Sequence, residues 1–342
     1  MKIPDSEHSI QAKIDKHHEA LAEPPRPHMG CSQLGHPCNR WLWLSFRWAV
    51  QPKFPGRILR LFRRGQMEEA VIVSDLRAIG IDVRCTGKQQ TRVDFGAHVS
   101  GSVDAIIESG VPEAPKKRHI AEFKTHSAKS FADLEKNGVE KSKPEHWVQM
   151  QLYMHGAKID RALYVAVCKD DDRIYTERVR YQKEVAEKYI ERGRRIALSD
   201  RMPEPISTDP SWYQCKMCPA HEFCHETKTT KHVNCRTCAH STAKEDSTWR
   251  CEYYAADDIP VEFQRQGCDG HVLHPDLVPW PRKDGLDEWT AVYVIEGRDV
   301  ANGEGDAHVY TSKEILANPK MCSLGDEYVE SLRQEFGGRI VG

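Results

Sequence analysis

Seven cysteines fall between positions 215 and 268, spaced Cys215-x2-Cys218-x5-Cys224 and then Cys235-x2-Cys238-x12-Cys251-x16-Cys268. No other feature limits the possible folds as strongly. The N-terminal stretch is charged and has no apolar segment of the kind a secretory signal needs, so the chain is expected in the cytoplasm, where thiols stay reduced. Metal binding is then expected in place of disulfides. Each C-x2-C forms a turn that aims two thiolates at one ion. Cys235, Cys238, Cys251 and Cys268 make one complete set, for which zinc (Zn2+) is expected ahead of a metal cluster; His240 and His271 are nearby substitute ligands. Cys85, Cys168 and Cys322 stand in apolar or isolated contexts and read as free thiols.

A chain of 342 residues exceeds the roughly 100 to 200 of one domain, so a catalytic-sized domain with appended modules is expected. Hydrophobic residues at 39% and eight tryptophans can bury a sizeable interior, which argues against disorder. No apolar run is long enough to span a membrane. Charge balances at 49 basic against 51 acidic residues, so no global field attracts nucleic acid. The local distribution differs. From Pro24 to Met67 there is no acid, but Arg26, Arg40, Arg47, Lys53, Arg57, Arg60, Arg63 and Arg64 are interleaved with Trp41, Trp43, Phe46, Trp48, Phe54 and Phe62. Such a mixture suits a groove for phosphates and bases, and equally the solvated rim of a helix pair.

Residues 1–30 read as a weak helix and a linker through PPRP. A helix is expected from Arg57 to Ile79, closed by Gly80. The period then changes to two, and IDVRC, RVDFG, HVSGSVDAII and HIAEFKT read as successive strands. A helix around Glu145 to Gly156, the strands RALYVAVC and RIYTERVR, and the helix KEVAEKYIERGRRIAL complete an α/β arrangement. The expected divisions are a catalytic domain over 31–230, a cysteine module over 231–280 and a small α+β tail over 281–342.

Three polar residues interrupt the strand block: Asp104, Glu122 and Lys124. Alternation places Glu122 and Lys124 on one face, about 7 Å apart, and Asp104 can join them from a neighbouring strand. Two carboxylates and an ammonium can hold a divalent cation and steady the charge of a hydrolytic reaction. A cross-strand salt bridge would leave the same signature.

The order RGQMEEA, GSVDAII, AEFKT, VQMQLYM resembles the motif series of the RecB-like and lambda-exonuclease-like branch of the PD-(D/E)XK nucleases, over roughly Gly35 to Cys224. The resemblance implies a restriction-endonuclease-like α/β core, a central mixed sheet flanked by helices, followed by a cysteine-rich metal module. It assigns Asp104 and Glu122 as metal-holding carboxylates, Lys124 as the catalytic lysine, and Gln149 with Tyr153 as the helix motif beside the site. Where this branch commonly carries a histidine, four residues after Gly65, the chain has Glu69, an acid that can ligate the metal; Glu68 is adjacent and competes for the role. Iron-sulfur nucleases related to this branch place one cysteine before the core and three after it as C-x2-C-x5-C. By that likeness Cys38, Cys215, Cys218 and Cys224 would hold a four-iron-four-sulfur cluster, with Cys31 a rival for Cys38. Spacing alone does not choose between iron and zinc.

The expected function is a magnesium- or manganese-dependent deoxyribonuclease, an exonuclease of phage or prophage recombination or DNA processing, in the host cytoplasm if phage-encoded. DNA is the expected partner, with a single-strand annealing protein or helicase as a candidate protein partner and no membrane. The alternative is a non-catalytic DNA-binding or structural subunit of a recombination or helicase complex, its nuclease site vestigial.

Overall fold

The computed structural model describes residues 9–341; the expected start of the N-terminal helix, residues 1–8, lies outside them. Three helices come first: α1 (Ile10–Ala20), α2 (Asn39–Phe46) and α3 (Gly56–Ala78). The chain divides into two units, one of residues 1–36 and 52–194, the other of 37–51 and 195–342. Helix α2 therefore belongs to the second unit.

The first unit is built on its strands. They are β1 (Met29–Gly30), β2 (Asp82–Arg84), β3 (Arg92–Asp94), β4 (Val99–Ser102), β5 (Ala105–Ser109), β6 (His119–His126), β7 (Arg161–Cys168) and β8 (Ile174–Arg180). Five form a mixed sheet in the order β2-β5-β6-β7-β8, in which only β6 and β7 run parallel. Parallel neighbours need a long crossover, and it is supplied by α4 (Ala128–Ser142) and α5 (Pro144–Ala157). The odd-numbered side chains of β6 and β7, Ala121, Phe123, Leu163, Val165 and Val167, share a core with Ile72, Val73 and Leu76 of α3. Each such fully buried aliphatic or aromatic side chain contributes roughly 1.5–3 kcal/mol. The even-numbered face meets α4 and α5, which explains why β7 reads as a nearly continuous apolar run.

The structure departs from the sequence reading in three places. HVSGSVDAII is not one strand: it breaks after Ser102, and β4 pairs with β1 and β3 in a separate three-stranded sheet that also takes RVDFG away from the main one. Asp104 stands in that break. Helix α4 was not expected at all. Its apolar residues, Phe131, Leu134 and Val139, are few, and it is kinked at Gly138, whose φ of 71° is open mainly to glycine. The Glu177 carboxylate accepts from the Val139 N–H at 2.8 Å just after the kink.

Helix α6 (Lys183–Leu198) crosses the boundary between the units. The second unit holds β9 (Ser241–Ala243) and β10 (Trp249–Cys251) as a hairpin, and a four-stranded sheet of β11 (Arg282–Lys283), β12 (Ala291–Ile295), β13 (Arg298–Asn302) and β14 (Val309–Tyr310). Val272, Leu273 and Val278 share one core with Tyr293, Val300, Tyr310 and Ile315. The last 60 or so residues are thus packed with the cysteine-bearing segment. Among the described residues no helix is long and apolar enough to cross a membrane.

Candidate active site

The β5–β6 register, Ala105 opposite Ala121 and Ile106 opposite Ile120, extends by one step to set Asp104 across from Glu122. The contact is held by the Phe123 N–H, which donates to Asp104 Oδ2 at 3.0 Å. Lys124 follows on the same face as Glu122. Its ammonium donates to Glu122 Oε1 and lies 4.0 Å from Asp104 Oδ2. Glu122 is fully buried, and its second oxygen, Oε2, has no hydrogen-bond partner.

Helix α3 adds a third acid. Of the two adjacent glutamates, Glu69 is the one whose carboxyl feels Asp104 and Lys124. Burial, then the Asp104 charge, push Glu69 up to about 7 against a partial offset from Lys124. The same causes, burial first, push Glu122 up to about 8. Burial alone would lower the Lys124 ammonium, but Glu122 and Asp104 beside it hold it above the usual lysine value. The lysine is therefore a cation at neutral pH, able to donate hydrogen bonds and unable to act as a base.

On α5, Gln149 and Tyr153 are one turn apart and both buried, and the Gln149 amide donates to the Tyr153 hydroxyl at 3.2 Å. Burial and then the nearby Glu122 charge raise the Tyr153 phenol. Gly101 of β4 makes room for that ring: a Cβ there would lie 2.9 Å from Tyr153 Cε1 and 2.9 Å from Cys31 Sγ.

Sequence reasoning missed a neighbouring cluster. Tyr164 lies opposite Glu122 in the parallel register, and its hydroxyl bridges His126 Nε2 at 2.8 Å and His146 Nδ1 at 2.9 Å. Burial, and then lysine charges that include Lys124, lower both imidazoles, to about 4 for His126 and about 3 for His146. Both are neutral at pH 7. Alternation from Glu122 and Lys124 to His126 was the signal available in the sequence.

These residues suit a divalent cation. Two acids held high by burial and mutual repulsion, and a buried carboxylate oxygen with no partner, are the donor set that a hard cation with oxygen ligands neutralises. As the side chains stand, no group of three or more His, Cys, Asp or Glu among the described residues is arranged to hold a metal ion. In the present arrangement the Lys124 ammonium supplies the countercharge.

Among the described residues neither cysteine set forms a ligating group as placed. No disulfide forms either. Burial pushes the Cys218 thiol up to about 11. Cys38, Cys215, Cys218 and Cys224 nevertheless lie in the second unit within electrostatic reach of one another. Cys31 belongs to the first unit, against Gly101 and near Tyr153.

The fold already engages several arginines of the acid-free segment. Arg40 and Arg47 fall in the second unit, where Arg40 donates to the Pro203 carbonyl and the buried Arg47 pairs with Asp200 at 3.0 Å. In the first unit Arg60 pairs with Asp15 at 2.6 Å and Arg64 donates to the Lys169 carbonyl. Lys53, Arg57 and Arg63 are exposed along the start of α3 and the turn before it.

A family model described as the PD-(D/E)XK nuclease superfamily matches residues 18–225. No curated protein matches the chain. Among solved structures the chain is similar to SSO0001, with 14% identity and a TM-score of 0.41 over 64% of this chain and 98% of that one. It is also similar to LHK-Exo in complex with dAMP, with 14% identity and a TM-score of 0.36 over 54% of this chain and 90% of that one. A phage-related exonuclease from Haemophilus somnus is 15% identical with a TM-score of 0.34, over 52% and 94% of the two chains. At such TM-scores the family match, which spans more than half of the sequence, decides the assignment.

Proposed function

The chain belongs to the PD-(D/E)XK nuclease superfamily, and from that premise we propose that it is a magnesium- or manganese-dependent deoxyribonuclease, an exonuclease serving DNA recombination or processing. The observation that carries this reading is the buried, half-satisfied Glu122 carboxylate beside Asp104 and Lys124. A purely structural salt bridge would gain nothing by leaving a buried oxygen unpaired.

Asp104 and Glu122, joined by Glu69, would hold the cation. When bound, it supplies Lewis acidity at the scissile phosphate. Lys124, kept as an ammonium by its two acids, donates hydrogen bonds to the attacking water and to the charge that grows on the phosphoryl oxygens. The Phe123 N–H fixes Asp104 so that the two carboxylates converge. Gln149 holds the Tyr153 hydroxyl and so sets the wall of the site against Asp104 and Glu122. Lys53, Arg57 and Arg63 would take the DNA backbone.

The reading also includes metal at Cys38, Cys215, Cys218 and Cys224. Their shared neighbourhood within one unit supports it, and the family resemblance favours a four-iron-four-sulfur cluster.

The test is digestion of end-labelled linear DNA and of closed circular DNA, with and without magnesium. Loss of nucleotides from linear DNA alone, dependent on the ion, supports an exonuclease. Nicking of the circle would point to an endonuclease, and no digestion of either would overturn the reading.

A further inference from the structure

The second cysteine set lies beyond residue 225, outside the part of the chain that the nuclease family matches. Its four members come from three separate pieces of backbone. Cys235 and Cys238 flank a 3-10 turn closed by the Cys238 N–H on the Cys235 carbonyl at 3.1 Å and capped by Asn234. Cys251 ends β10, and Cys268 follows the helix Val261–Gln266. All four line one small, partly open cavity of about 10 Å³. That is space for one water-sized body.

We propose that Cys235, Cys238, Cys251 and Cys268 bind a single zinc ion in this cavity, as a structural site independent of DNA cleavage. A cavity of this size suits one ion. Two cysteines on a tight turn with two more from distant segments make a tetrahedral thiolate set, the closed coordination of structural zinc.

The surroundings are prepared for thiolate. The His240 N–H points at Cys238 Sγ from 3.4 Å. The Gly270 N–H and the Tyr254 hydroxyl donate to Cys268. The two histidines are spoken for: His240 Nε2 bonds the Trp289 carbonyl, and His271 uses Nδ1 on Ser312 and Nε2 on Thr237 and Asn234. The ligand set is therefore all cysteine. The four cysteines are free of disulfides, so each brings a thiol proton. Binding replaces those protons: one zinc ion and four thiols give a tetrathiolate of charge -2 and four free protons. Closing the long loop between Cys235 and Cys268 then restrains both of its ends, next to Ala239 and Val272, which pack with the C-terminal sheet.

The test uses the full chain. In a background lacking Cys215 and Cys218 (both changed to serine), metal-stripped protein is titrated with cobalt(II), whose visible spectrum reports tetrahedral thiolate ligation. One cobalt per chain with that spectrum is expected, displaced by zinc and abolished by Cys268→Ser. Zinc K-edge absorption of the wild-type protein needs no substitution, and should show sulfur neighbours alone at about 2.3 Å. Metal content unchanged by Cys268→Ser, oxygen or nitrogen in the zinc shell, or loss of iron in place of zinc with Cys268 would overturn the proposal. None of these outcomes depends on whether the protein cuts DNA.

Discussion

Replacing Glu122 by glutamine should stabilise the metal-free protein at high pH while removing cleavage. The buried carboxyl releases its proton near pH 8, against an ordinary glutamate value of 4.5. Between those values the native state holds a proton that the unfolded chain has lost, so stability falls as pH rises through the window. At about 1.4 kcal/mol per pH unit the ceiling is roughly 5 kcal/mol. The shift is already net of the Lys124 ammonium; relaxation and water reaching the ionised carboxylate reduce it further, leaving on the order of 2 kcal/mol. That corresponds to roughly 4–8 °C in the melting of a unit of this size. Lys124 keeps Asp104 as a partner in the variant, so it is not orphaned. Thermal melting in chelator at pH 6 and pH 9 should show wild type losing more stability than Glu122→Gln, with the lowered histidines cancelling in the comparison. Magnesium should then stabilise wild type at pH 9 and leave the variant unmoved. A variant less stable than wild type at pH 9 in chelator, with no magnesium effect on either, would refute the reasoning.

Gly101→Ala should cut the cleavage rate with little change in DNA affinity, because its methyl group would lie 2.9 Å from Tyr153 and displace the ring; single-turnover rates and filter binding separate the two. Arg57→Ala or Lys53→Ala should weaken binding to all sequences and flatten the salt dependence by about 0.7–0.9 per lost phosphate contact. Arg60→Ala should leave that slope unchanged and lower the melting temperature, since Arg60 already serves Asp15. Protein purified without oxygen should be brown, and Cys218→Ala should lose the colour; a colourless wild type containing only zinc would remove iron from the Cys38 set.

The apolar residues of β5 and β6, the continuous apolar run of β7 and the long amphipathic α3 were legible because burial on one or both faces, or along one stripe, writes itself into composition. Asp104, Glu122 and Lys124 were legible as candidates because charge interrupts those runs. Their separation was not, since it depends on strand register, and register joins residues 18 apart in sequence. The split of β4 from β5 escaped notice for a related reason: HVSGSVDAII keeps one period while changing sheets. The acid-free segment misled, because a charge run says nothing about which arginines the fold has already claimed. The Tyr164–His126–His146 cluster draws on β6, β7 and α5, a convergence that no local pattern records.

The central claim is that Asp104, Glu122 and Lys124 form a metal-dependent DNA-cutting centre. Its most direct test is the single-turnover cleavage of end-labelled linear DNA by wild type and Lys124→Ala, with DNA affinity measured in calcium on the same preparations. Wild type should cut only with magnesium or manganese, and Lys124→Ala should bind equally well while cutting at least about 100-fold more slowly. Cleavage without a divalent ion, or at the wild-type rate in Lys124→Ala, would contradict the account.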